Sequence, residues 1–198
     1  LEWITERVLQ GLAGGEPMPP QALLFLLRRY AATGRADLSD ALGPSLARAL
    51  DVCTPSSDAT AQPEHSASFD ASEWLMLFTE AAALSEDDRL PVAVDSVAAA
   101  LMRRWPSQGG VAEAARSVEA CLAAAAISEA VPVSSAIDEL ERIVGLTYQP
   151  GEGLARSLNR AGRERGLLRD HVAMASAMLG AYSAAGRLPY SMLAEELM

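Results

Sequence analysis

The sequence predicts an all-α protein made of antiparallel helical hairpins in a curved two-layer array, and three observations support this prediction. Half of the 198 residues are apolar and only 5% are aromatic, and alanine and leucine supply most of the apolar residues. Both enter helices at little cost, whereas strands favour β-branched and aromatic side chains. The other two observations are a Gly-Arg turn and a Leu-Pro or Val-Pro step, each of which recurs along the chain.

The Gly-Arg turn separates two helices at each of two places. Residues 30–42, YAATGRADLSDAL, and residues 182–194, YSAAGRLPYSMLA, share a tyrosine, an alanine two residues later and Gly-Arg. A glycine directly after an apolar run is typical of a helix end, because the chain often adopts a positive φ to leave the helix. Proline is favoured in the first turn of a helix, and Pro91, Pro132 and Pro189 mark three further starts. These turns predict four helix–turn–helix units.

Nine helices are predicted from the apolar periodicity and these turns, at about residues 2–13, 20–33, 37–52, 69–84, 91–105, 110–128, 132–147, 167–185 and 189–198. The helix from Ser72 and the helix that contains Asp170 are apolar around much of their circumference. Such helices are typically inner or sandwiched helices rather than surface ones. In the second of them, one stripe contains Val172, Ala175, Leu179 and Tyr182, with Met174 and Met178 beside it.

Two segments interrupt this regularity. Residues 53–68, CTPSSDATAQPEHSAS, are rich in serine, threonine, alanine and proline, and they are predicted to form an exposed linker. Residues 149–166 contain several glycines and arginines and are predicted to form a loop with one short helical turn near residues 154–160. The domain prediction is one helical-hairpin domain over residues 1–198.

Charge and composition exclude several classes of partner. The chain carries 26 acidic and 16 basic residues, a net charge of −10, and every basic residue is arginine. Nucleic-acid binding without sequence preference requires a positive surface, so no nucleic-acid partner is expected. No stretch approaches the roughly 18 consecutive apolar residues of a membrane span, so no membrane partner is expected. Cys53 and Cys121 lack metal-ligand spacing and are interpreted as free thiols of a cytoplasmic protein without a metal or cofactor.

The closing hairpin, residues 167–198, carries a specific set of residues: Leu168, Asp170, Leu179, Tyr182, Gly186, Tyr190, Ala194 and Leu197. Through these residues, the closing hairpin resembles a hairpin of the α/α-toroid, or six-hairpin, superfamily. It is most similar to the toroid region of bacterial proteins in which a thioredoxin-like domain precedes the hairpins. This chain shows no thioredoxin domain and no Cys-x-x-Cys. It has about four and a half hairpins where a closed toroid has six or seven, so the resemblance implies a partial or open toroid.

An open array of hairpins leaves an apolar edge at each end, and such edges are normally capped or covered. The chain is therefore expected to be part of a longer protein, or to be sealed by a partner. The covering surface would be another copy or a missing segment of the same protein. The edges are expected at the first helix, around Trp3, Ile4 and Val8, and at the last helix, around Leu193, Leu197 and Met198.

The resemblance also implies where chemistry would occur. Toroid enzymes act on sugars at the rim and central cavity at one end of the inner helices, and sugar hydrolysis uses two carboxyl groups, one of them protonated near neutral pH. Asp170, at the start of an inner helix, is the catalytic candidate; the alternative is that it caps its own helix. His171 is the second candidate, with a structural role as its alternative. An epimerase pair is not expected, because the other histidine, His65, lies in the linker.

Five further residues, two tryptophans and three arginines, are candidates for ligand binding. Trp74 and Trp105 could stack on sugar rings, although their helical spacing equally favours packing in the core. Arg156, Arg160 and Arg163 have helical spacing and could bind a phosphate or an acidic partner. The alternative for these arginines is a solvated face paired with nearby glutamates.

The function that the sequence favours is a helical scaffold or interaction domain of a toroid-like protein, without catalytic activity of its own. The alternative is a carbohydrate-acting enzyme, similar to a glycoside hydrolase, that uses carboxylates at the toroid rim.

Overall fold

A computed structural model describes residues 1–53, 71–105, 109–159 and 164–198. In these ranges the fold is all-α, as predicted, with nine α-helices and one two-stranded sheet. The elements are α1 (Glu2–Ala13), α2 (Pro20–Thr33), α3 (Ala36–Cys53), α4 (Ala71–Ala82), α5 (Arg89–Met102), α6 (Val111–Ala124), α7 (Val133–Thr147), β1 (Tyr148–Gln149), β2 (Gly153–Leu154), α8 (Leu168–Ala185) and α9 (Leu188–Leu197). Except for Cys53, the last residue of α3, the predicted linker at 53–68 lies outside the described residues.

The turn signals mark helix ends where the sequence predicted them. Gly34 follows α2 with φ 66° and Gly186 follows α8 with φ 67°. The N–H of Gly34 donates to the Tyr30 carbonyl at 2.8 Å, and the N–H of Gly186 donates to the Tyr182 carbonyl at 2.8 Å. The repeated Tyr-x-Ala-x-Gly spacing therefore corresponds to the same helix-ending hydrogen bond in both hairpins.

The chain divides into two compact units, Leu1–Val97 and Ala98–Met198. The prediction of one helical-hairpin domain stays a prediction. In the first unit, α2 packs against α3 and α4. Its core contains fully buried side chains from all three helices, among them Leu26, Leu38, Leu75 and Phe78. Arg28 of α2 pairs with Glu80 of α4 at 2.6 Å at the edge of this core.

The second unit has two layers of helices, one formed by α6 and α8 and the other by α7 and α9. The side-chain contacts within each layer show how its helices run. From the N-terminal to the C-terminal end, α6 meets α8 at Glu113–Arg169, at Glu119–Ser176 (2.6 Å) and at Leu122–Gly180, so the two helices run parallel. In the same way α7 and α9 run parallel, because Tyr190 donates to Glu141 at 2.6 Å and Tyr148 donates to Glu196 farther along. Helices α8 and α9 form an antiparallel hairpin around Gly186. Each layer therefore contains two parallel helices, and the two layers run in opposite directions.

The helical turn predicted near residues 154–160 is wrong for the residues that the structure describes there. Gly151 and Gly153 adopt φ 78° and 74° and turn the chain into the β1–β2 hairpin, in which Tyr148 pairs with Leu154. Beyond β2 the backbone stays extended, because it pairs with the residues that lead into α6. Val111 donates to the Arg156 carbonyl at 2.9 Å and Leu158 donates to the Gly109 carbonyl at 3.0 Å. These tertiary hydrogen bonds replace those of a helical turn.

Helix α8 differs from the predicted inner helix in one respect. Its buried face contains Met174, Ala177, Met178 and Ala181. Of the stripe identified in the sequence, only Ala175 is buried, while Val172, Leu179 and Tyr182 remain 46%, 51% and 40% exposed. The helix is covered on one side within the chain and uncovered on the other.

The terminal helices also differ in part from the prediction. Leu197 is only 6% exposed and Leu193 is half-buried, because α9 packs on α8. At these two residues the apolar edge that was expected to be open is covered by the chain itself. Met198, Trp3 and Ile4 are exposed and Val8 is half-buried. None of the described helices combines the length and apolar character needed to cross a membrane.

Candidate functional site

The N-terminal ends of the parallel helices α6 and α8 lie side by side and exchange side-chain contacts. Glu113 is the third residue of α6, and its carboxylate accepts a hydrogen bond from Arg169, the second residue of α8. In the other direction, the carboxyl group of Asp170 hydrogen-bonds to the backbone of Ala112, the second residue of α6. The two helix starts are therefore tied together by one contact from each helix.

Asp170 was expected either to serve as a catalytic acid or to cap its own helix, and the hydrogen bond to Ala112 argues against the second role. The residue before α8 is Leu167, which offers no capping side chain. Because α6 and α8 are parallel and adjacent, the Asp170 carboxyl group instead meets an unpaired N–H in the first turn of α6. A carboxylate at this position satisfies a free donor and interacts favourably with the helix dipole.

The carboxyl group of Asp170 is buried and incompletely paired. The residue is 4% exposed, and its Oδ2 atom is buried with no hydrogen-bond partner among the described residues. Burial raises the pKa of Asp170, and the negative charge of Glu113 raises it further. The Ala112 hydrogen bond and the positive charges of Arg169 and Arg156 oppose this rise in the pKa. Burial dominates, so the site favours the protonated acid more than water does.

Arg156 completes a group of alternating charges at this end of the unit. Its guanidinium pairs with Glu164 at 2.5 Å, and this hydrogen bond is the largest cause of the raised pKa of Arg156. The carboxylates of Asp170 and Glu113 contribute to the same shift, which places Arg156 near both of them. We call Glu113, Arg156, Glu164, Arg169 and Asp170 the charged rim. The glutamate pairing expected as the alternative for the arginines is present at Arg156, and Arg169 is paired with a glutamate as well.

His171 lies beside the charged rim and has a structural contact. Its Nε2 atom accepts a hydrogen bond from the backbone N–H of Leu154 at 3.2 Å, which attaches the β1–β2 hairpin to α8. The imidazole is close enough to Gly153 that a Cβ atom there would lie 2.7 Å from Nε2. Accepting this bond requires the tautomer in which Nε2 carries no proton. The contact supports the structural role of His171.

Three of the rim residues, Glu113, Glu164 and Arg169, and one neighbour were not candidates in the sequence. Glu113 and Glu164 come from other parts of the chain, and only the early position of Glu113, three residues after Gly110, resembles a capping signal. Arg165 donates to the Thr147 carbonyl at 3.0 Å and to the Gly153 carbonyl at 2.8 Å. It thereby joins the end of α7 to strand β2, a role that the arginine-rich composition of residues 149–166 did not distinguish.

The remaining candidates are not brought to the charged rim by any described contact. Trp74 belongs to the first unit, where its ring is half-buried with its centroid 5.7 Å from that of Phe78, which supports packing. Trp105 is half-buried just after α5. Arg160 and Arg163 lie outside the described residues. Arg156 is in an extended segment, so the helix predicted to carry the three arginines is not formed at Arg156. Among the described residues, no three His, Cys, Asp or Glu side chains are grouped so that they could hold a metal ion.

We expect replacement of Asp170 by asparagine to change the pH dependence of stability. Because the pKa of Asp170 is raised above the ordinary 3.8, the folded protein binds a proton more tightly than the unfolded chain does. The stability from this group is complete below about pH 4 and is lost as the pH rises through the folded pKa. Asp170→Asn should therefore gain stability relative to the wild type between about pH 4 and pH 7, measured as urea midpoints at each pH.

Asp87 provides the control for this experiment. Its pKa is lowered, chiefly by a hydrogen bond from Arg89, so its stabilising contribution is present above about pH 4 and is lost below it. Asp87→Asn should change with pH in the opposite direction to Asp170→Asn. Parallel curves for Asp170→Asn and the wild type would show that Asp170 has an ordinary pKa.

A second feature of the same unit is the uncovered face of α8. Four large apolar side chains lie along it, which we call the α8 stripe: Leu168 (74% exposed), Val172 (46%), Leu179 (51%) and Tyr182 (40%). From His171 to Gly186 the sequence contains no acidic residue and no arginine. An exposed helix face normally carries polar or charged side chains, so this face is unusual for a surface in contact with water.

In comparisons with known proteins, no family model, no curated protein and no solved structure matches the chain.

Proposed function

We propose that this protein is a helical interaction domain that binds another polypeptide through the α8 stripe. The observation that carries the proposal is the exposure of four large apolar side chains on one face of α8, whose charged residues, Arg169 and Asp170, lie in the first turn of the helix. Exposed apolar side chains are ordinary when they are scattered, but a contiguous row of them typically marks an interface.

The α8 stripe is not needed for the packing of α8 within its own unit. A different face of the helix, with Met174 and Met178, supplies the contacts to the rest of the unit, and both residues are at most 2% exposed. Complete burial of one large apolar side chain contributes about 1.5–3 kcal/mol, and the stripe residues forgo a large part of this in the isolated chain. Contact with a partner would recover that free energy, which accounts for the apolar character of the stripe.

The arrangement of helices supports the further proposal that the domain belongs to a toroid-like scaffold. In the second unit, α6 and α8 are parallel in one layer, α7 and α9 are parallel in the other, and successive helices are antiparallel. Stacked hairpins of this kind form the two layers that the resemblance implies, and the α8 stripe lies on the layer of α6 and α8. A cytoplasmic location, expected from the absence of a paired-cysteine framework in the sequence, is part of the same proposal.

We expect Val172→Glu to remove an apolar binding surface without loss of stability. Anilinonaphthalene sulfonate, a dye that binds exposed apolar surface, should fluoresce with the wild-type chain and much less with Val172→Glu and Leu179→Glu. Val92→Glu is the matched control, because Val92 is a valine of similar exposure (56%) in the first unit. The free energies of unfolding of all variants, measured by urea denaturation, should agree within about 0.5 kcal/mol, since surface substitutions change stability little.

Equal dye binding by the wild type, Val172→Glu and Leu179→Glu would contradict the proposed interaction surface. A loss of stability in the stripe variants but not in Val92→Glu would show instead that the stripe packs against its own chain.

A second candidate function has one specific observation in its favour. Asp170 is buried, its pKa is raised, and the carboxylate of Glu113 contributes to that rise. Two carboxyl groups in different environments, one favouring the proton and one exposed, are the requirement for glycoside hydrolysis. A carbohydrate-acting enzyme with Asp170 as the acid would hydrolyse at least one member of an oligosaccharide panel, and Asp170→Asn would reduce the rate about 100-fold or more. Absence of turnover by the wild type across the panel would count against this candidate.

A further inference from the structure

We propose that the contact between His171 and the β1–β2 hairpin is a pH-dependent switch, in which α8 holds the hairpin while the imidazole is neutral and releases it when the imidazole is protonated. The proposal does not depend on the proposed function, because it uses none of the residues of the α8 stripe. It follows from three features of the structure: the atom through which His171 binds the hairpin, the burial of the group that it binds, and the charges around the contact.

The contact is made through the ring nitrogen that a second proton would occupy. Nε2 of His171 accepts a hydrogen bond from the N–H of Leu154 at 3.2 Å, so the proton of the neutral ring is on Nδ1. In the imidazolium ion both ring nitrogens carry a hydrogen atom, and neither can accept a hydrogen bond. The N–H of Leu154 and a proton from solvent therefore compete for the same lone pair.

The other strand of the hairpin does not supply a second acceptor for the Leu154 N–H. Ala155 donates to the Thr147 carbonyl at 2.9 Å across the hairpin. Leu154 therefore occupies the next, non-hydrogen-bonded position opposite Tyr148, and its N–H points away from β1. This orientation directs the N–H towards α8 and makes His171 its acceptor.

The burial of Leu154 makes the loss of this acceptor unfavourable while the hairpin stays in place. The residue is 0% exposed, and a buried backbone N–H without a partner is destabilising. Rotation of the ring does not restore the bond, because an imidazolium ion has no acceptor atom in any orientation. Release of the hairpin allows water to accept from the N–H. Protonation of His171 and release of the hairpin therefore favour each other.

The charges around the contact also favour release of a protonated ring. Arg165 donates to the Gly153 carbonyl at 2.8 Å, and a Cβ atom on Gly153 would lie 2.7 Å from Nε2, so the guanidinium and the imidazole both lie against this residue. The carboxylate of Glu152 pairs with Arg165 at 3.6 Å. On α8 the nearest charges belong to the charged rim, whose carboxylates contact its arginines and the start of α6. Among the described residues, none of the ion pairs includes His171, so protonation adds a positive charge near Arg165 without a carboxylate to pair with it.

The other bonds of the hairpin do not titrate near neutral pH, so release should leave the hairpin itself paired. The hydrogen bond between Ala155 and Thr147 joins two backbone groups, and Arg165 remains positively charged. The attachment to α8 through His171 is the part that changes with pH. Because the segment after β2 carries Arg156 to the charged rim, acidification acts on the rim through this contact.

Hydrogen exchange of single amide groups, measured by NMR on the full chain and corrected for the intrinsic exchange rate at each pH, tests the proposal. In a chain with His65→Gln, His171 is the one remaining histidine. The protection of the Leu154 amide should fall about 10-fold or more between about pH 8 and pH 5, the range in which histidine titrates. The Ala155 amide is the internal control and should keep its protection, because its bond lies within the hairpin.

His171→Gln is the matched variant, because its side-chain oxygen can accept from the Leu154 N–H and does not titrate. In this variant the Leu154 amide should stay protected from about pH 8 to pH 5. His171→Ala has no acceptor and should show weak protection of Leu154 at every pH. Single amides are measured because the raised pKa of Asp170 changes the overall stability with pH in the opposite direction.

Three results would overturn the proposal. Constant protection of Leu154 across the pH range, in the chain that retains His171, would show that protonation does not break the contact. The same loss of protection in His171→Gln would assign the pH dependence to another group. An equal loss at Ala155 would mean that the hairpin unfolds instead of leaving α8. None of these results bears on the α8 stripe, which the dye experiment tests separately.

Discussion

Replacement of Gly153 by alanine should lower the free energy of unfolding by about 2–4 kcal/mol, through strain of the backbone and loss of a hydrogen bond. Gly153 has φ 74°, a conformation that side chains with a Cβ atom rarely adopt. An added Cβ would also lie 2.7 Å from Nε2 and 2.8 Å from Cε1 of His171. The imidazole would have to move, and the N–H of Leu154 would lose its acceptor. Urea denaturation, followed by the fluorescence of Trp105 in a chain whose other tryptophans are phenylalanine, measures the change.

Gly151 provides the matched control for this substitution. It lies in the same turn with φ 78°, and a Cβ there would have no neighbour within 4 Å. Gly151→Ala should therefore cost only the backbone strain, about 1–2 kcal/mol. When His171 is first replaced by alanine, Gly153→Ala should cost the same smaller amount, because the ring is no longer there. Equal effects of Gly151→Ala and Gly153→Ala in the wild-type background would mean that His171 does not restrict the turn.

Replacement of Phe78 by alanine should lower the free energy of unfolding of the first unit by about 3–5 kcal/mol. Phe78 is fully buried in α4, and its ring packs beside that of Trp74. Removal of the ring creates a cavity that the helices around it refill only in part, since protein cores are closely packed. The fluorescence of Trp74, with Trp3 and Trp105 replaced by phenylalanine, reports the urea unfolding of this unit.

Phe25 in α2 is the control, because it is the same residue type in a half-buried position of the same unit. Phe25→Ala should cost clearly less than Phe78→Ala, since less of its ring is removed from water in the folded state. Similar losses at both positions would show that the burial of Phe78 does not determine its contribution.

The positions of the helices were predictable because their signals are local. The end of α2 at Gly34 and the end of α8 at Gly186 each depend on one glycine and on a tyrosine four residues earlier, and both turns have the predicted conformation. The hairpin at residues 148–154 was not predicted. Its extended continuation depends on hydrogen bonds to the residues before α6, which are more than 40 residues away in the sequence.

Two of the five residues of the charged rim, Asp170 and Arg156, could be predicted from the sequence. Asp170 stands at the start of an apolar helix, and that position marked it as a candidate. Its contacts with Ala112 and Glu113 could not be derived, because they require α6 and α8 to be adjacent and parallel. The raised pKa of Asp170 depends chiefly on burial, which is likewise a property of the folded unit.

The sequence by itself determined the fold class, the helices and the existence of an apolar stripe on α8, because composition, periodicity and turn residues act over a few residues at a time. Only the tertiary structure decided which face of α8 is covered. Helix α8 is apolar on both faces, so both faces have the same periodic signal, and the sequence pattern cannot distinguish them. Met174 and Met178 are buried because the rest of the second unit packs on their side of the helix, whereas Val172 and Leu179 face away from it and remain exposed.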